Sequence, residues 1–199
     1  MGLTFFIIYK NIFMTNVNIT IGRFQPITNG HMACVEEAYT KLHIPTVICM
    51  IGVDDSKVDE KHPFPSSMLL PIYQDVFKKN KMIADIVLVK NANIVDIGKM
   101  LYEKGYIIQS WSCGTDRVAS YSKMASKYAA DAMLADNFQM LEIKRTDEDI
   151  SATKVREAIL NDDYKTFVAM TPLVTLSSRL AGKECYNELR EQLLKVYNK

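Results

Sequence analysis

At 199 residues, 48% of them hydrophobic, the chain is long enough to bury one sizeable core and too apolar for intrinsic disorder. Its 24 basic and 23 acidic residues are spread along the sequence and leave a net charge of +1, so there is no electrostatic case for duplex nucleic acid or an anionic membrane as main partner; a small charged metabolite fits better. Cys34, Cys49, Cys113 and Cys185 show no CxxC spacing, and the expectation is reduced structural thiols in a cytoplasmic protein with no metal cage.

The run Leu3 to Phe13 is apolar but too short for a membrane helix, and it lacks the basic start and small-residue cleavage site of an export signal. Residues 1–13 therefore read either as an upstream extension or as a strand-like appendage to a single domain over 14–199. Val17 to Ile21 is a short β-branched run ending at glycine, the form of a buried parallel strand. Thr28 is then a plausible N-cap for a helix whose apolar face recurs at Met32, Val35, Ala38, Tyr39 and Leu42.

The turn between that strand and helix is where an anion fits, because a helix N-terminus offers unpaired N–H groups and the positive end of the macrodipole. Gly22 and Gly30 allow close backbone approach, and Arg23 and His31 add side-chain donors. Thr46 to Val53 is a second buried strand, which implies a right-handed crossover and a parallel pair. The polar loop Asp54 to His62 leaves its carboxyl end and carries Lys57 and Lys61.

A helix follows with Met68, Leu69, Ile72, Tyr73, Val76 and Phe77 on one face, expected to begin near Leu70 because of Pro71. Ile86 to Val89 is a third strand, Lys90 to Asn93 a polar loop, Ile94 to Lys104 a helix closed by Gly105, and Tyr106 to Ser112 a fourth strand. Trp111, the single tryptophan, sits on that strand, where it can pack in the core or stack on a flat substrate ring. Tyr121 to Leu134 reads as a helix and Phe138 to Ile143 as a fifth strand.

Ser151 is placed to cap a helix carrying Val155, Ala158 and Ile159 on one side, which makes a second anion site with Thr153 and, one turn on, Arg156. From Pro172, Leu173, Leu176, Leu180, Tyr186, Leu189, Leu193 and Tyr197 give helical spacing with a break at Gly182. That C-terminal element packs back on the sheet or serves a homo-oligomer. The expected fold is α/β, a doubly wound, Rossmann-like parallel sheet of about five strands with C-terminal helices and its cleft above the strand carboxyl ends.

Two motifs carry a family resemblance. Gly22-Arg23-Phe24-Gln25-Pro26, continuing to Gly30-His31, resembles the signature of the nucleotidylyltransferase superfamily in its nicotinamide-mononucleotide adenylyltransferase branch, while Thr28-Asn29-Gly30-His31 is similar to the TxGH form of pantetheine-phosphate adenylyltransferases. Ile150-Ser151-Ala152-Thr153-Lys154-Val155-Arg156 resembles the superfamily's ISxTxxR motif. Gly114-Thr115-Asp116 resembles its ribose-binding GxD element, and His62-Pro63-Phe64 its NPFxxxER stretch, without the acidic and arginine ending.

The resemblance implies attack by a substrate phosphate on the α-phosphorus of a nucleoside triphosphate, with pyrophosphate leaving. In that reading His31, Thr28, one of Lys57 or Lys61, and Arg156 serve the transfer, and Gly22, Arg23, Phe24, Gln25, Gly30, Gly114, Asp116, Ser151 and Thr153 bind nucleotide. Asn91 and Trp111 face the acceptor, and Mg2+ arrives with the triphosphate. The implied partners are ATP and a phosphorylated small molecule, with nicotinamide mononucleotide as the first choice. Phosphopantetheine, cytidylyl transfer and a non-catalytic nucleotide-binding protein are the alternatives.

Overall fold

The computed structural model describes residues 14–144, 151–174 and 183–197. The apolar run Leu3 to Phe13, Ile150 of the second motif, and Leu176, Leu180 and the expected break at Gly182 lie outside them. Five strands, β1 (Thr15–Gly22), β2 (Thr46–Ile51), β3 (Ile83–Val89), β4 (Tyr106–Gly114) and β5 (Leu134–Ile143), form one all-parallel sheet in the order β3-β2-β1-β4-β5. The chain thus winds outward from β1 in one direction and then in the other, which creates a switch point between β1 and β4.

Each crossover carries a helix: α1 (Asn29–Leu42), α2 (Ser66–Phe77), α3 (Ile94–Glu103) and α4 (Thr115–Tyr128). Among the described residues three more follow the sheet, α5 (Ala152–Leu160), α6 (Tyr164–Met170) and α7 (Lys183–Tyr197). One core joins α1, α2, α5, α6 and α7 to one sheet face through residues such as Val35, Leu69, Ile159, Phe167 and Leu189. The other joins α3 and α4 to the opposite face around Ile19, Cys49, Ile97 and Trp111. Sheet alternation explains the division, since Ile48 and Met50 point into the first core while Val47 and Cys49 point into the second.

The sheet centre is not wholly apolar. Asn18 on β1 is fully buried, yet its amide donates to Thr46 Oγ1 (3.0 Å) and Ser112 Oγ (2.8 Å) and its oxygen accepts from Ser110 Oγ (2.8 Å). With its hydrogen bonds made on β2 and β4, this group favours one register across three strands, because a slip would strand buried polar atoms.

Several element boundaries differ from expectation, β3 starting at Ile83 rather than Ile86 and β5 at Leu134 rather than Phe138. α2 begins at Ser66 rather than near Leu70: Pro71 sits exposed inside it, and the lost N–H leaves only the carbonyl of the exposed Ser67 without its helical donor. α4 begins at Thr115, six residues before Tyr121, and ends at Tyr128, with Leu134 already in β5. Its first turns, Thr115 to Ser120, are largely exposed and carry little apolar pattern, which begins at Tyr121. Finally, α6 interrupts the sequence before Pro172, and Tyr39, expected on the inner face of α1, is 37% exposed.

Candidate active site

A cleft of about 740 Å³ opens over the carboxyl ends of the strands, within the about 300–1,000 Å³ range usual for ligand pockets. Gly22 at the end of β1 and Gly114 at the end of β4 both line it, so it occupies the switch point. Three helices open into it by their N-termini: α1 through Gly30 and His31, α4 through Asp116 and Arg117, and α5 through Ser151 and Ala152. Among the described residues Arg23, His31, Arg117, Lys144 and the carboxylate Asp116 line the cleft, and the basic side chains beside three helix N-termini suit an anionic ligand.

α1 starts with a reciprocal cap. Thr28 Oγ1 accepts from the His31 N–H at 3.4 Å, while the Thr28 N–H donates to His31 Nδ1 at 3.0 Å. Histidine takes the place that glutamate or glutamine holds in the usual capping box. Because Nδ1 accepts a backbone N–H, the neutral ring carries its proton on Nε2, which makes Nε2 the donor of a side chain lining the cleft. The Phe24 ring packs edge-on against the imidazole, with centroids 4.9 Å apart at 74°, and fixes its second side.

Gly22 lines the cleft and also has a structural reason. A Cβ there would meet the Phe24 ring at 3.2 Å, so the glycine makes room for the ring that backs His31. At α5, Ser151 Oγ accepts from the Lys154 N–H at 3.2 Å and caps the helix as its sequence predicts. Asp116 pairs with the Arg117 guanidinium at 3.3 Å on the first turn of α4.

The candidate residues divide. Gly22, Arg23, Phe24, Thr28, Gly30, His31, Gly114, Asp116 and Ser151 all line the one cleft. Gln25 does not: buried, it donates to the Phe64 carbonyl at 2.7 Å and accepts the Phe64 N–H at 3.0 Å, tying the turn to the segment before α2. Arg156 is also buried, donating through Nη1 to the Gln25 carbonyl (2.8 Å) and through Nη2 to Thr153 Oγ1 (3.2 Å), so its guanidinium faces the protein, while Thr153 is exposed and is not among the lining residues.

Lys57 and Lys61 are exposed and stand off the cleft wall, Lys57 in a short 3₁₀ turn capped by Asp54. The Asn91 oxygen accepts the Asn93 N–H at 2.9 Å, and its neighbour Ala92, not Asn91, reaches the lining. Trp111 is fully buried and stacked on Tyr121, with centroids 4.1 Å apart at 20°, so it offers no face to a substrate in this structure.

The lining also includes Arg117, Tyr121 and Lys144, to which sequence reasoning gave no role. Arg117 follows the GTD element directly, and that adjacency was the available signal; Tyr121 and Lys144 carried none. Burial raises the Tyr121 phenol, with Arg117 opposing, and raises the Cys113 thiol on the same wall to about 11, so both groups are protonated at neutral pH.

The family model of cytidylyltransferase-like proteins matches residues 19–158, a span holding both motifs. A search of curated protein sequences found no match. Similar solved structures include the nicotinic acid mononucleotide adenylyltransferase of Plasmodium falciparum complexed with NaAD, 14% identical with a TM-score of 0.53, covering 92% of this chain and 96% of that one. Another is Thermotoga maritima TmcAL bound with alpha-thio ATP, 11% identical with a TM-score of 0.52, covering 93% of this chain and 56% of that one. At these identities the likeness speaks for the fold.

Proposed function

The chain belongs to the cytidylyltransferase-like family and is a nucleotidyltransferase, and we propose that it transfers adenylyl from ATP to nicotinamide mononucleotide, yielding a dinucleotide and pyrophosphate. The observation that carries this reading is the meeting of the capped N-termini of α1 and α5 in one cleft, which His31 in the first turn of α1 also lines, with the first motif reading GRFQP. An acceptor phosphate oxygen forms a bond to the α-phosphorus of ATP while the bond from that phosphorus to the bridging oxygen of pyrophosphate breaks. The acceptor is already ionised, so the residues need only align the groups and stabilise charge on the transferring phosphoryl.

His31 donates through Nε2 to that phosphoryl, and the first amides of α1 add their dipoles. The α5 N-terminus at Ser151 takes the departing phosphates. Gly114 and Asp116 hold the ribose of the nucleotide, a carboxylate being able to accept two hydroxyl hydrogen bonds. Mg2+ would arrive with the triphosphate, since it is usually held by substrate phosphates and waters rather than by an all-protein cage.

The test is pyrophosphate release from ATP or CTP offered with nicotinamide mononucleotide, phosphopantetheine and phosphorylated alcohols. Release with ATP and nicotinamide mononucleotide is expected. Release with phosphopantetheine alone would make the TNGH half of the motif the better guide. ATP binding with no release on any acceptor would reduce the protein to a nucleotide-binding one.

A further inference from the structure

The turn from Phe24 to Ile27 joins β1 to α1 outside any helix or strand, and its backbone groups would be buried without partners if the chain ended at α1. They are satisfied from far along the sequence. The Tyr73 hydroxyl, on α2, donates to the Phe24 carbonyl and accepts the Ile27 N–H, both at 2.8 Å. Arg156 on α5 donates to the Gln25 carbonyl, and Thr171 Oγ1, just after α6, donates to the Ile27 carbonyl at 2.9 Å.

Three of four consecutive residues thus have their carbonyls held by three different elements. Tyr73 is completely buried, and Thr171 is 1% exposed. A tyrosine serving the core alone needs one partner for its hydroxyl; this one spends both its donor and its acceptor on the same turn. Ile27 is followed directly by Thr28, whose N–H and hydroxyl set the imidazole of His31.

We propose that Tyr73 and Thr171 are positioning residues for nucleotidyl transfer, fixing the Phe24–Ile27 turn and through it the orientation of His31. The bonds they make reach both ends of the turn, the Phe24 carbonyl at one and the Ile27 N–H and carbonyl at the other. Movement of the turn would carry Thr28 with it and swing the imidazole off line, and small displacements of an aligned group are costly in rate. Burial holds the Tyr73 phenol well above its ordinary pKa, so it remains a donor throughout the neutral range.

The inference rests on the cleft being a nucleotidyl-transfer site, and its test has one readout that does not. In full-length protein, Tyr73→Phe and Thr171→Val are compared with Thr171→Ser, which keeps the hydroxyl, and with Ser110→Ala, which removes a buried hydroxyl from the Asn18 group in the sheet. Pyrophosphate release gives kcat and KM, and nitrogen-15 NMR of the imidazoles gives the His31 tautomer and environment.

Tyr73→Phe is expected to lower kcat about tenfold or more with the KM for ATP changed less than about threefold, and Thr171→Val to do so by less. Both should shift the His31 imidazole signals. Thr171→Ser should restore both values, and Ser110→Ala should lower Tm while leaving kcat and His31 unmoved. Tyr73→Phe and Thr171→Val variants that lose Tm yet keep kcat and the His31 signals would overturn the proposal. If Tyr73→Phe does not fold, the Thr171 pair decides. If the wild-type protein releases no pyrophosphate, the functional reading fails, while the His31 signals still support or overturn the positioning role.

Discussion

The turn from Gly22 to Thr28 and the loop from Asp54 to His62 leave neighbouring strands at the same end of the sheet, and they are held in opposite ways. Side chains of α2, α5 and the α6 terminus bond the backbone of the turn, and its Gln25 reaches out to Phe64. The loop is exposed and holds mostly to itself, with Asp54 accepting the Ser56 N–H and Asp59 accepting the His62 N–H. Two further bonds tie it outward, Ser67 Oγ donating to Asp55 and the Tyr197 hydroxyl of α7 donating to the Glu60 carbonyl at 3.0 Å. Preorganised donors belong to the turn, and a lysine of the loop can serve the cleft only as a charge recruited after the ligand arrives.

Removing His31 is the severest way to break this comparison. His31→Ala is expected to lower kcat by about a hundredfold or more, on the order of 3 kcal/mol of transition-state stabilisation, with a much smaller change in ATP affinity. Because His31 also closes the helix cap, the alanine variant should lose about 1 kcal/mol of stability as well. His31→Glu separates the two roles, since glutamate suits the cap but brings a negative charge to an anion site: melting should be near normal and turnover absent. Near-normal turnover in the alanine variant would end the assignment.

Next in size is the turn's outward anchor. Gln25→Ala strands a buried N–H and a buried carbonyl at Phe64, which costs about 2–3 kcal/mol and lowers Tm by roughly 4–12 °C in a domain of this size. A melting curve checks it. An unchanged Tm would mean that Phe64 finds other partners and that the turn is less firmly held than its hydrogen bonds imply.

Most strands were readable because they are β-branched or apolar runs bounded by glycine, proline or a polar loop, and the turn before α1 was readable because its glycines, cap and histidine are local; the start of β5, Leu134 to Asn137, is polar enough that it was not. Roles that depend on distant partners were not. Gln25 and Arg156 look like ligand-binding side chains within their motifs, yet their bonds go to Phe64 and to the turn carbonyl, 39 and 131 residues away. The start of α4 was missed because Thr115 to Ser120 carry little apolar pattern, and the helical period begins only at Tyr121, Met124, Ala125 and Tyr128. Pro71 misled for the opposite reason, a local rule overridden by packing of the surrounding helix face.

On the loop side, Lys57→Ala with Lys61→Ala should change stability by less than about 0.5 kcal/mol, because neither side chain is buried. Charges standing off the cleft would act on a bound triphosphate only through solvent, so the double variant is expected to raise the KM for ATP at low salt and much less at high salt, with kcat nearly kept. A hundredfold fall in kcat would show that the loop closes onto the transferring phosphoryl and that its open placement is only the resting arrangement.

The smallest effect separates the two regions by acid. Hydrogen bonds from the Ser56 side chain and N–H hold the Asp54 carboxyl below its usual value, and the His62 N–H does the same for Asp59. A carboxyl whose pKa is lowered by folding contributes stability that is present above the unfolded value, near 3.8, and is lost as pH falls through the lower folded value. The turn's anchors from Tyr73, Gln25, Arg156 and Thr171 include no carboxylate, so nothing in them takes up a proton in that window. In amide NMR between about pH 5 and pH 2, the Ser56 and His62 N–H signals should titrate while those of Ile27 and Phe64 hold still until global unfolding. Asp54→Asn should abolish the Ser56 titration and leave that of His62. Ile27 and Phe64 signals that move together with Ser56 would mean the loop and the turn are one cooperative unit rather than two separately held regions.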